Sequence, residues 1–326
     1  MAVQKDASLD KPIDVSKKAV IASSVLTPDL ASAVLNLNID RFNQIKSKAN
    51  RYLFWQLKVW VAAVTVTLAL VSVAGVGQNY LDNIRYSDAS YIFQVEFFTI
   101  FFTFCFVISG CFVALSFLSF SLGEHATSLE KNHKHVFGTD LEKFAQLPLN
   151  TKDRDTLKQI AKGQDTFVIS YRDTPIATIS LQPVQRGDTL KLRAGAYVVK
   201  VTGLGVRKIY IPSGMYSDLL EWAILHARKM YEANGKKDTA AFLIVDNVYN
   251  FDTALRDELT SLNFAPVAEM ASYLNGTFKF CGIVNETWAI EVANKEGVES
   301  AEGFDSQTLS RRILETSEGV RRRAQK

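Results

Sequence analysis

Two long uncharged apolar runs set the limits on what this chain can fold into. Val59–Val76 is 18 residues without a charge, opened by Lys58 and closed by Gly77-Gln78-Asn79. Phe97–Leu122 is 26 residues without a charge, nine of them phenylalanine. A run of about 18 or more such residues reads as a membrane-spanning helix, because every backbone polar group is then satisfied inside the segment. Between the runs, Leu81–Ser90 carries Asp82, Arg85 and Asp88, which argues against one continuous helix. The expectation is a membrane α-helical hairpin, with helices over 58–78 and 92–122 and a luminal loop over 79–91.

The flanks orient that hairpin. Arg41, Lys46, Lys48, Arg51 and Lys58 precede the first run, Arg85 alone lies in the loop, and Lys131 and Lys134 follow the second run. The excess of basic residues outside the loop places both termini in the cytosol. Residues 1–26 are polar, with no apolar core for a removable signal, and read as disordered. Thr27-Pro28-Asp29 then marks a helix start. Residues 27–57 read as an amphipathic juxtamembrane helix, with Tyr52, Phe54, Trp55 and Trp60 as interfacial anchors. The tail, 294–326, ends in Arg321-Arg322-Arg323 and reads as disordered and basic. Such a tail can meet vesicle coat proteins or anionic lipid, or simply be a solvated end.

Small residues recur at helical spacing in both runs: Ala62, Thr65, Ala69 and Ser72 in the first, Cys105, Ser109, Phe112, Ser116 and Ser119 in the second. Such stripes let helices approach closely, either within the hairpin or against a transmembrane partner. Glu96 stands one turn into the second helix, as a functional acid or as a group solvated at the interface. A net charge of +3 gives no basic excess for nucleic acid. His125, His133 and His135 lack companion ligands, so no metal site is expected, and three cysteines indicate no disulfide framework.

Past Asp140 the pattern turns to mixed α/β. Strands are expected at Thr166–Arg172, Ile176–Pro183, Ala196–Val201 (extending toward Val206), Ala240–Val245, Phe264–Ala271 and Thr277–Val292. Asp173-Thr174-Pro175 gives a hairpin signal, and helices are expected at Tyr216–Asn234 and Asp252–Leu262. This makes 137–293 an α+β domain with a mixed sheet. Leu204-Gly205-Val206, four residues, then Ile211-Pro212-Ser213-Gly214-Met215-Tyr216 and a helix resemble the cofactor turn of the GNAT N-acetyltransferase family, and Leu262-Asn263-Phe264 resembles its closing motif. In that family the turn's backbone N–H groups hold the coenzyme A pyrophosphate. Here Ile211 replaces the basic residue, Pro212 has no N–H to donate, and Tyr216 replaces the last glycine. Leu259 stands where the resemblance places a tyrosine general acid, and it cannot donate a proton. Val206, Ile211, Gly214, Met215 and Tyr216 therefore read as a vestigial acetyl-CoA turn, with no catalytic residue and no cofactor expected.

Pro28–Ala33, Asn50-Arg51-Tyr52-Leu53-Phe54-Trp55-Gln56, the Phe-rich second run and the C-terminal domain, in that order, are together similar to a fungal family of endoplasmic reticulum membrane proteins. These are the packaging chaperones of the high-affinity inorganic phosphate permease. The resemblance implies a non-enzymatic protein whose partners are a polytopic transporter client, the lipid bilayer and vesicle coat proteins, with no nucleic acid. Glu96, Thr99, Thr103, Ser109, Ser116 and Ser119 are the candidate client-binding residues, since hydroxyls can bond exposed polar groups of an unfinished client while phenylalanines pack. The alternative is a membrane-anchored GNAT-type N-acetyltransferase using acetyl-CoA.

Overall fold

The structure, a computed structural model, describes residues 21–73, 98, 100–113, 116, 120, 137–138, 141–148, 156, 160–184, 196–234, 240–269 and 282–293. The chain forms two compact units, Met1–Ile45 with His125–Tyr273 and Ile283–Lys326, and Lys46–Glu124 with Leu274–Gly282.

The first unit is built on a mixed sheet of order β1-β2-β3-β4-β5-β7-β6, as the α+β pattern predicts. Its strands are β1 (Ile21–Val25), β2 (Thr166–Tyr171), β3 (Thr174–Pro183), β4 (Tyr197–Val206), β5 (Ala241–Tyr249), β6 (Ala265–Glu269) and β7 (Asn285–Ala293). Arg172 and Asp173, with φ of 51° and 61°, close the β2–β3 hairpin. Positive φ at both central residues is the geometry whose twist suits a two-residue loop. One expectation is corrected at once. The disordered start assigned to residues 1–26 ends earlier, because Ile21–Val25 pairs antiparallel with β2, Ile21 opposite Tyr171. Residues 1–20 lie outside the described residues.

The helices, in chain order, are α1 (Ala31–Phe54), α2 (Leu57–Val73), α3 (Ile100–Val113), α4 (Leu141–Ala145), α5 (Met215–Ala233) and α6 (Thr253–Ser261). Strand alternation sorts the sheet into two faces. Phe167 and Ile169 of β2 join Ile179, Leu181, Leu219, Leu220, Ala223 and Leu259 in the main core beneath α5 and α6. On the other side, Val168 packs with Leu26, Ala31, Val34, Leu141 and Phe144.

That second face is made of small residues. Thr166 opposes Ser180, while Thr178 opposes Gly205 and Ser180 opposes Gly203. The backbone of α1 therefore comes down on the sheet itself. A Cβ at Gly205 would meet the Leu37 carbonyl oxygen at 2.7 Å and carbon at 2.8 Å. Ala31, Val34, Leu37 and Ile45 are accordingly buried, so the amphipathic helix expected over 27–57 spends this face on protein.

In the second unit α1 ends at Phe54 and the chain bends by 52° into α2. Trp60 Nε1 donates to the Phe54 carbonyl at 2.8 Å, satisfying one acceptor that a helix end leaves open. Among the described residues no single helix is long and apolar enough to cross a membrane, and only α1 and α2, taken as a bent pair, reach that length and composition. α2 buries Ala63, Thr67 and Val71, and α3 buries Val107. Thr65, Ala69 and Ser72 of the stripe singled out in the first run are exposed, as are Cys105, Ser109 and Phe112 of the second. The loop 79–91 and the tail 294–326 lie outside the described residues.

The close seat of α1 makes a direct prediction. Gly205→Ala should destabilise the protein by about 1–3 kcal/mol, the usual cost of forcing extra atoms into a packed interior. A thermal or urea melt reads it, and an unchanged midpoint would contradict the contact.

Candidate functional site

The parallel strands β4 and β5 pair only from Tyr197–Ala241 to Val201–Val245. Both continue beyond, β4 to Val206 and β5 to Tyr249, so they part and open a cleft. A register shift between Val245 and Val248 against β7, with Asn247 at φ 59°, turns β5 away, the usual effect of a bulge. Helix α1 covers the opening. Asn38, Arg41, Phe42 and Ile45 enclose, with β4 and β5, a cavity of about 180 Å³. Gln44 Nε2 donates to the Val206 carbonyl at 3.0 Å, so the last carbonyl of β4 is taken by the cover.

Arg41 is the centre of this arrangement. Its side chain is 8% exposed and hydrogen-bonds Tyr216. Tyr216 stands in the first turn of α5 and Tyr249 at the end of β5. Burial raises the Tyr216 phenol above its ordinary 10.0, with Arg41 pulling it back and Asp252 and Asp40 adding to the rise. Burial raises Tyr249 as well, again with Arg41 opposing. Across the cavity Lys200 Nζ meets Asp246 Oδ2 at 2.6 Å, and Thr287 Oγ1 donates to Asp246 Oδ1 at 2.9 Å.

The vestigial turn has the strand–turn–helix order that the resemblance implies. Val206 is buried, Lys208–Ser213 is a 3₁₀ turn containing Pro212, and Gly214 at φ 80° precedes α5. Open space surrounds the position of a Gly214 Cβ, so this glycine answers a left-handed φ and no close neighbour. Ile211 packs against the core, and Met215 and Tyr216 are buried. Asp218, in the first turn of α5, places a carboxylate where an anion would otherwise meet the helix dipole. Leu259 is fully buried.

Of the candidate client-binding residues, Thr103 is half-buried on α3 while Ser109 and Ser116 are exposed. Ser109 donates to the Cys105 carbonyl and Ser116 to the Phe112 carbonyl, each at 2.8 Å. Their protons are spent within the helix, which leaves lone pairs for a partner. Glu96, Thr99 and Ser119 lie outside the described residues, as do His125, His133 and His135. Among the described residues no group of three or more His, Cys, Asp or Glu is placed to hold a metal.

Residues 3–292 match the family model described as the inorganic phosphate transporter chaperone Pho86. The chain belongs to that family. Pho86 proteins are by that description chaperones of an inorganic phosphate transporter, so the client of this chain is a phosphate transporter. No curated protein matches the chain. Among solved structures it is similar to Arabidopsis thaliana Naa50 in complex with a bisubstrate analogue, at 17% identity over 50% of this chain and 92% of that one, with a TM-score of 0.29. It is also similar to the ribosomal-protein-S18-alanine N-acetyltransferase of Escherichia coli, at 15% identity, 52% and 90% coverage and a TM-score of 0.29. A third is YncA of Salmonella typhimurium with acetyl-CoA, at 15% identity, 52% and 89% coverage and a TM-score of 0.31.

Sequence reasoning passed over Arg41 as one of several flanking basic residues. The signal available was its position on the apolar side of α1, four residues after Leu37 and four before Ile45, where a charge is unusual. The buried phenols carry a pH signature. Their folded-state pKa values lie above the unfolded value, so the stability they contribute is whole below about pH 10 and is lost as pH climbs through the raised values. Tyr216→Phe and Tyr249→Phe should each flatten the alkaline fall in stability, read from melts between about pH 9 and 11.

Proposed function

We propose that this Pho86 protein is an endoplasmic reticulum membrane chaperone that assists folding and exit of its polytopic phosphate transporter through the outward faces of α2 and α3. The observation that carries the reading is the side chains those helices leave uncovered. Phe102, Phe106 and Val113 are 65%, 78% and 72% exposed, and Leu68 of α2 is 61% exposed. Such a surface suits a hydrocarbon environment or another apolar helix far better than water. The small residues Thr65, Ala69, Ser72, Cys105 and Ser109 lie exposed among them, giving a client helix places for close backbone approach. Ser109 and Ser116 offer acceptors to unpaired N–H or O–H groups of an unfinished client, and Thr103 of the same helix, with Glu96, Thr99 and Ser119 by sequence alone, complete the proposed client-binding set. A two-pass arrangement, with both termini cytosolic and helices over 58–78 and 92–122, fits the basic flanks.

The first unit serves in this reading as a scaffold. Its cleft is covered by α1, the Val206 carbonyl is engaged by Gln44, and the turn before Gly214 has Ile211 at the basic position and no donor at Pro212. These features favour a role other than acetyl transfer.

A photo-crosslinking residue at position 106 should capture the phosphate transporter in membranes, whereas one at the buried Val107 should not. A deletion strain in which the transporter still leaves the endoplasmic reticulum normally and phosphate uptake is unchanged would overturn the proposal. Saturable acetyl-CoA binding by the full chain in calorimetry would favour the transferase instead.

A further inference from the structure

The geometry points to a small-oxyanion site in the cavity between α1 and the parting strands β4 and β5. Three observations carry it, and none depends on the client-binding reading. First, Arg41 lines the cavity with 8% of its surface exposed, and its Nη1 is buried with no hydrogen-bond partner. A guanidinium so far from water normally has a carboxylate beside it, because a buried charge is tolerated only when paired. Among the described residues none is paired with Arg41. The carboxylate across the cavity, Asp246, is already engaged by Lys200 at 2.6 Å and by Thr287 at 2.9 Å.

Second, the charges around the space do not balance. Arg41 and Lys200 line it against the single lining carboxylate of Asp246, while Asp252 and Asp40 act on Tyr216, the hydrogen-bond partner of Arg41, from outside that lining. Third, the space fits. The space of about 180 Å³ is well above the ~10–15 Å³ that admits a single water, enough for one tetrahedral oxyanion with part of its hydration. Asn38, Thr202 and Asn247 add side-chain amide and hydroxyl groups to the lining. The planar guanidinium is the side chain best suited to two oxygens of one anion.

The ligand class is therefore an oxyanion of one or two charges, either a free inorganic ion or the terminal phosphate of an ester. The bound ion would neutralise Arg41 and tie α1 to β4 and β5. The helix N-terminus at Gly214 is no rival site, since Asp218 already occupies its first turn.

Calorimetry on the full chain in detergent micelles tests this, with inorganic phosphate and methyl phosphate as probes. One saturable site is expected, with at least tenfold weaker binding in Arg41→Gln. Should that variant fail to melt cooperatively, Thr202→Leu decides, because it fills the cavity wall and leaves the guanidinium in place. It too should weaken binding at least tenfold. Tighter binding of inorganic phosphate assigns a free ion, and tighter binding of methyl phosphate an ester, each supporting the site. No saturable binding of either probe, or equal binding by wild type and the folded variants, overturns it.

Discussion

The fold of the first unit depends on one close approach, the backbone of α1 at Leu37 resting on Gly205 of β4. Sheets covered by helices usually keep them at a distance set by the side chains between. Here the face is built from Thr166, Thr178, Ser180, Gly203 and Gly205, so the distance collapses to backbone contact. From that contact follow the bond from Gln44 to the Val206 carbonyl, the burial of Arg41 and the closing of the cleft between β4 and β5. A larger residue at Gly205 would lift the helix and undo all three.

The same contact explains what was legible beforehand and what was not. Period-2 runs such as Thr166–Tyr171 and the apolar face of α5 announce their elements because both faces or one stripe are plainly apolar. The β2–β3 hairpin and the break around Gly214 were visible too, although the turn expected at Asp173-Thr174-Pro175 falls at Arg172-Asp173. β1 was not, because Ile21-Ala-Ser-Ser-Val25 is short and half polar, and its strand state comes from pairing with β2. Nor was the destination of α1 visible. Its amphipathic stripe looks the same whether it meets lipid or a sheet, and the fact that decides is small residues some 160 positions later in the chain, from Gln44 to Val206.

For the candidate site the balance is similar. The turn at Gly214 could be recognised, and its departures from a phosphate cradle could be argued from Ile211, Pro212 and Tyr216 alone. The stripes of α2 and α3 were recognised too, but the face on which each would fall was a matter of packing. Ala63, Thr67 and Val71 are buried while Thr65, Ala69 and Ser72 stay open, and at about 100° per residue the two sets lie nearly half a turn apart. Arg41 escaped notice because it was counted with four other basic residues ahead of the first apolar run, and its place between Leu37 and Ile45 on the apolar side of α1 went unread.

The edge strand has a consequence for how the chain is made. Ile21 must wait for Tyr171, and Leu26 donates its N–H to the carbonyl of Thr166, so the sheet's first strand cannot close until just over half of the chain has left the ribosome. By then both apolar runs have emerged. The order of synthesis thus brings out both apolar runs before the first strand of the sheet can pair. Closing so long a loop costs little more than closing one half its length, but it comes late, and the α1 segment must remain unassembled in the interval.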